Sequence, residues 1–131
     1  MFKRIDHTEI VPSNYERTIK FYTEVLGFQA KQRKKIGRPP LDEIIYLTLG
    51  DTMVEVMSVK SPAPVPSVPY QVGYKRIALE VDDMDKAIAY LKSKGVTISV
   101  PPVTMETSRR AEIVDPDGLS IELRQWTGAR P

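Results

Sequence analysis

Thiol chemistry is absent from this chain, which has no cysteine, and with it go disulfides and zinc–thiolate centres. Imidazole chemistry rests on one residue, His7. What remains is carboxylate and guanidinium chemistry, and the position of these groups is informative. Glu55 stands between Val54 and Val56, and Glu122 between Ile121 and Leu123. A carboxylate in an apolar strand either faces solvent or faces a site. Arg76, at the start of another apolar run, and Arg124, two residues past Glu122, add fixed positive charge. Arg124 shares a strand face with Glu122, because side chains of a strand repeat every second residue.

The elements that must position these residues come in two similar sets. Lys3 to Val11 alternates polar with apolar or β-branched types and predicts a strand. Ser13 and Glu16 form a capping-box pattern ahead of a helix carrying Ile19, Phe21, Tyr22, Val25 and Leu26, which Gly27 ends. Strands follow over Phe28 to Lys35, Glu43 to Leu49 and Thr52 to Val59, with a loop at Ile36 to Pro40 and a turn at Gly50-Asp51. Ser61 to Pro69 holds too many prolines for strand or helix and reads as a stiff linker. The pattern then restarts. Tyr74 to Val81 predicts a strand, and Asp82 or Asp83 caps a helix with Met84, Ala87, Ile88 and Leu91 that Gly95 ends. Strands follow at Val96 to Val100, Ala111 to Val114 and Leu119 to Arg124, with breaks at Pro101-Pro102 and at the Asp115-Pro116-Asp117-Gly118 turn.

The two sets are in register. Glu55 follows Gly27 by 28 positions and Glu122 follows Gly95 by 27, while His7 precedes Gly27 by 20 and Arg76 precedes Gly95 by 19. His7 therefore corresponds to Arg76, and Glu55 to Glu122. Two such units related by a pseudo-twofold axis would bring these four side chains to one face of a curved sheet. The expected fold class is α+β, two βαβββ modules in a cupped mixed β-sheet: module 1 over 1–60, a linker over 61–70 and module 2 over 71–126.

Four stretches, DHTEIVPSNYERTIKFYTEVLGF, DTMVEVM, YKRIALEVDDMDKAIAYLKSKGV and IVDPDGLSIELRQ, taken in order, resemble the vicinal-oxygen-chelate superfamily, which includes glyoxalases, bleomycin-resistance proteins and dioxygenases. The pattern is most similar to glyoxalase-I-like members and spans nearly the whole chain. The resemblance implies metal ligands at His7, Glu55 and Glu122, with a fourth at position 76, where the family has histidine and this chain has Arg76. It implies a divalent metal such as Zn, Ni, Mn, Co or Fe, which polarises vicinal substrate oxygens while a carboxylate moves a proton. Glu122 is then the expected base, Glu55 a ligand or second base, and Arg76 and Arg124 substrate-binding residues. A guanidinium stays protonated and cannot ligate a cation. The metal-free alternative has Arg76 bridging Glu55 and Glu122 in place of the ion. Where glyoxalase I anchors glutathione with an arginine, this chain has Val11.

The function implied is a glyoxalase-like lyase or isomerase on a small oxygenated substrate. Its alternative is a non-catalytic small-molecule-binding protein of the bleomycin-resistance type. A homodimer is expected, since family members enclose their cleft with a second copy. A net charge of +2 in 131 residues makes no case for nucleic acid or membrane partners, and no segment reads as a membrane span or secretion signal, so the expected compartment is the cytoplasm. The basic run Lys31-Gln32-Arg33-Lys34-Lys35 reads as a solvated strand edge, and Arg109-Arg110 as surface.

Overall fold

A computed structural model describes residues 1–131. The chain forms two compact units, Met1–Pro64 and Val65–Pro131. In the first, β1 (Thr8–Ile10) leads to α1 (Tyr15–Lys20), then β2 (Gln29–Arg38), β3 (Leu41–Leu49) and β4 (Thr52–Val59). In the second, β5 (Ile77–Glu80) leads to α2 (Met84–Ser93), then β6 (Ile98–Thr104), β7 (Ser108–Val114) and β8 (Ser120–Trp126). Each unit holds a four-stranded mixed sheet, in the order β1-β4-β3-β2 and β5-β8-β7-β6. The parallel pair in each is the first strand with the last, as a βαβββ connection requires. The α+β class and repeated module expected from the sequence are present. No helix is long and apolar enough to cross a membrane.

Strand alternation sorts each sheet into a helix-covered face and an open one. In the first unit Ile45 and Leu47 of β3 and Val54 and Val56 of β4 are buried, as are Ile19 and Tyr22 of the helical segment and Phe28. In the second, Met84, Ile88 and Leu91 of α2 are buried, as are Ala111, Ile113, Ile121 and Leu123. Glu55 and Glu122, each offset by one residue from those core positions, point to the opposite face, where Glu55 is nevertheless buried.

Four local expectations differ from the structure. The cap of α1 is Asn14, whose Oδ1 accepts from the Arg17 amide at 3.0 Å. Asn14, and not Ser13, is thus the cap; Ser13 Oγ accepts from Arg17 Nη2 at 3.2 Å, and the Glu16 carboxylate pairs with the Arg33 guanidinium. The helix after Lys20 widens over Phe21–Val25 into a π-helical turn, closed by Leu26 N donating to Phe21 O at 3.1 Å, before Gly27 exits with φ +80°. β2 continues through the expected loop to Arg38, and β6 continues through Pro101-Pro102. Both are outer strands of their sheets and carry register shifts, which is where missing donors and extra residues are tolerated. Asp83 caps α2, accepting from the Lys86 amide at 3.0 Å.

Candidate active site in each repeat

The register of the parallel pairs ties the two repeats together residue by residue. Thr8 lies opposite Val54 and Glu9 opposite Glu55; Ile77 lies opposite Ile121 and Ala78 opposite Glu122. His7 and Arg76 thus hold the same place, one residue before the first strand of their unit. Glu55 and Glu122 hold the same place in the last. On the third strand, Tyr46 lies opposite Glu55, and Glu112 opposite Glu122.

In the first unit these positions form a histidine–carboxylate cluster. His7 Nδ1 is 2.9 Å from Asp6 Oδ2, a normal hydrogen bond. His7 Nε2 faces Glu55 Oε2 at 3.4 Å and Glu9 Oε1 at 3.5 Å. The Glu55 side chain is only 8% exposed. Tyr46 meets the imidazole edge-on, ring centroids 6.1 Å apart. The hydrogen bond to Asp6 raises the imidazole above its usual 6.5 against the opposing effect of burial, and the negative charges of Glu9 and Glu55 add to the rise. The Glu55 charge also pushes the Tyr46 phenol above its usual range. His7, Glu9 and Glu55 offer one nitrogen and two oxygens, all within 4.8 Å of one another.

In the second unit the same face is a chain of alternating charge. Arg76 Nη1 pairs with Glu112 Oε1, and Arg110 Nη2 pairs with the same oxygen. Arg110 Nη2 also lies 3.7 Å from Glu122 Oε2. Arg124 Nε donates to Glu122 Oε1 at 2.8 Å, and its Nη1 donates to Ser108 Oγ at 3.0 Å. Ser120 Oγ donates to Glu112 Oε2 at 3.3 Å. Burial works to raise the Glu112 carboxyl, but Arg76 and Arg110 outweigh it and hold the group below its usual range. Arg124 lies over the Trp126 ring, 5.4 Å from its centroid. A cavity of about 290 Å³ opens beside them, lined by Ala78, Glu80, Glu122, Arg124, Trp126 and Arg130. Another cavity, about 460 Å³, lies in the first unit around Pro39, Pro40 and Val59 and carries none of the His7–Glu55 cluster. Glu122 and Arg124 line the smaller one.

The expected partners of Arg76 were Glu55 and Glu122, but its guanidinium goes to Glu112. Glu122 is instead held by Arg124 and approached by Arg110. Sequence reasoning missed Glu9, Arg110 and Glu112. The signal for Glu9 is its spacing of two from His7 within the strand expected over Lys3 to Val11, which would place both on one face. Glu112 and Arg110 become visible only once the β7–β8 register is known. Arg109, the other half of the pair read as surface, turns to the helix side and binds Asp85 with two 2.9 Å hydrogen bonds.

Residues 4–123 match the model of the Glyoxalase/Bleomycin resistance protein/Dioxygenase superfamily. The chain belongs to that superfamily. It is 34% identical over 125 residues to the uncharacterized protein YaeR of Escherichia coli (strain K12), covering 92% of this chain and 95% of that one. It is 32% identical over 128 residues to a lactoylglutathione lyase of Neisseria meningitidis serogroup A, covering 93% and 90%. Among solved structures, a glyoxalase family protein from Enterococcus faecalis superposes with a TM-score of 0.83 at 30% identity, covering 94% of this chain and 98% of that one.

The superfamily often uses divalent metals, and the donor set permits a test of fit. His7, Glu9 and Glu55 are nitrogen and oxygen ligands of the kind zinc, nickel or cobalt accepts. They fit. Arg76, at the repeat position of His7, does not, and it is already committed to Glu112.

Proposed function

We propose that this protein is a glyoxalase-type lyase or isomerase acting on a small oxygenated substrate. The observation that carries the reading is the His7–Glu9–Glu55 cluster at the register position that the repeat marks out. A divalent metal held there by His7 and Glu55 would supply Lewis-acid polarisation of a substrate oxygen. Within the second unit taken by itself, Glu122 is the residue proposed to move a proton next to a substrate carbonyl. Its Oε1 is occupied by Arg124, which leaves Oε2 as the accepting oxygen. Arg124 fixes that carboxylate, and with Trp126 it offers a substrate a flat, positively charged wall. Arg76 keeps the role of a substrate-orienting cation through its donors beyond the one given to Glu112.

The test is exchange of solvent deuterium into α-hydroxycarbonyl compounds at the carbon beside the carbonyl. We expect exchange by the wild-type protein and its loss in Glu122→Gln by about 10²-fold or more, the usual contribution of a general base. Equal exchange by Glu122→Gln would remove that residue from the role. The methylglyoxal–glutathione hemithioacetal is expected to be a poor substrate, because Val11 stands where an anchoring cation is needed; rapid turnover would refute this point.

A second reading has one specific observation behind it. The Arg76–Glu112 pair places an internal cation where the family's third ligand belongs, as suits a protein that binds a small molecule without turning it over. Saturable binding of such a compound with no exchange in any variant would favour it.

A further inference from the structure

We infer that the metal site of this chain is contained within the first repeat, with Glu9 as its third ligand beside His7 and Glu55, and that the second repeat has replaced its share of the metal with arginine. The inference rests on the metal-assisted reading above and goes further by changing the ligand set.

Distances carry it first. Separations of 3.4 and 3.5 Å from His7 Nε2 to the two carboxylates are too long for good N–H···O hydrogen bonds, which fall at about 2.7–3.2 Å. They match two ligands on one tetrahedral ion, which at bond lengths of about 2.1 Å stand about 3.4 Å apart. The other ring nitrogen points the same way. Nδ1 is engaged by Asp6 at 2.9 Å, the carboxylate–histidine arrangement that fixes the tautomer and directs the Nε2 lone pair outward.

Charge carries it second. Around His7 stand three carboxylates, Asp6, Glu9 and Glu55, so even a protonated imidazole leaves the cluster two negative charges in excess. Glu55 is also 8% exposed, with a hydrogen bond to the Tyr46 phenol, and a nearby cation favours the charged form of a buried carboxylate. The matching face of the second unit has the opposite balance. Three guanidiniums, Arg76, Arg110 and Arg124, are set against Glu112 and Glu122. One repeat has internalised its cations and the other still lacks one.

Backbone register carries it third. Glu9 is the direct parallel-strand partner of Glu55, and its counterpart in the second repeat is Ala78, which has no ligand atom. The repeat that has Arg76 at the place of His7 also has no carboxylate at Ala78. The repeat that kept the histidine has the additional carboxylate.

The experiment is titration of the full-length, metal-stripped protein with Co²⁺, followed by calorimetry and by visible absorption of the bound ion. The wild type is expected to take up one equivalent. Glu9→Gln is expected to weaken binding by at least tenfold, comparable with Glu55→Gln, whereas Glu122→Gln stays within about twofold of wild type. Glu9 is 57% exposed on its side chain, and its variant should keep the wild-type melting transition, which serves as the folding control. Wild-type affinity in Glu9→Gln together with loss in Glu122→Gln would overturn the inference and leave the metal-assisted reading standing. No Co²⁺ uptake by the wild type would overturn both.

Discussion

At the scale of single residues, the Arg76–Glu112 pair has the most direct consequence. Both side chains are largely buried, at 18% and 13% exposure, so removing one partner leaves a poorly solvated charge. Arg110 also touches Glu112 and cushions the loss. Arg76→Ala is therefore expected to lower unfolding free energy by about 1–3 kcal/mol in urea denaturation, below the full cost of stranding a buried ion. A double-mutant cycle with Glu112→Gln isolates the pair; additive effects would show that the contact contributes nothing. The pH dependence has a definite sign. Glu112 titrates below its usual 4.5, so the stability it contributes is present above that value and is lost as pH falls through the lower folded value. The stability gap between wild type and Glu112→Gln should hold at pH 7 and shrink below about pH 4.5. A gap that persists unchanged to acid pH would mean that the carboxylate charge is not what stabilises. The equivalence of His7 with Arg76 and of Glu55 with Glu122 was legible in the sequence, because repeat spacing marks equivalent positions without any structure. Their partners were not. Which arginine reaches which glutamate depends on strand register and side-chain reach, and spacing alone encodes neither.

Among the secondary-structure elements, competition for side chains decides the outcome. The Ser13–Glu16 pattern is a sound helix start, yet Arg33 on β2 offers Glu16 a charged partner and Asn14 takes over the cap. Arg33 also binds Glu43 and lies 5.1 Å from the Tyr15 ring centroid, so one guanidinium joins the start of α1 to β2 and β3. Asn14→Ala is expected to cost about 1 kcal/mol by thermal denaturation, and Asn14→Ser much less, since serine restores the acceptor. Equal losses in the two variants would show that the cap hydrogen bond is not the cause. The repeated βαβββ pattern was readable because helix and strand periods differ and because glycine closes both helical segments. Strand ends at β2 and β6 were not, since glycine and proline usually signal a break. Both strands lie at sheet edges, where an absent donor leaves no core ladder unpaired.

For the whole molecule, the exposed apolar side chains bear on how the chain assembles. Val65, Val68, Tyr70, Val72 and Tyr74, in the segment leading into β5, are 50%, 60%, 86%, 106% and 106% exposed. Single exposed apolar residues are ordinary, but five within ten positions are a concentration of the kind found at interfaces. Proline rigidity lowers the entropic cost of holding such a segment against a surface, because little backbone freedom remains to be lost. Burying this surface is favourable by roughly 25 cal/mol per Å², so a few side chains of this size can offset much of the cost of association. A second copy of the chain is the partner we expect. A symmetric pair would bury the segment twice, once from each copy. Sedimentation velocity at micromolar concentration should therefore give a dimer. The double variant Val72→Asp, Tyr74→Asp should shift the population toward monomer while keeping the wild-type circular dichroism spectrum. A wild-type protein that sediments only as monomer at that concentration would rule the dimer out, and a variant that dimerises as well as wild type would place the contact elsewhere on the chain.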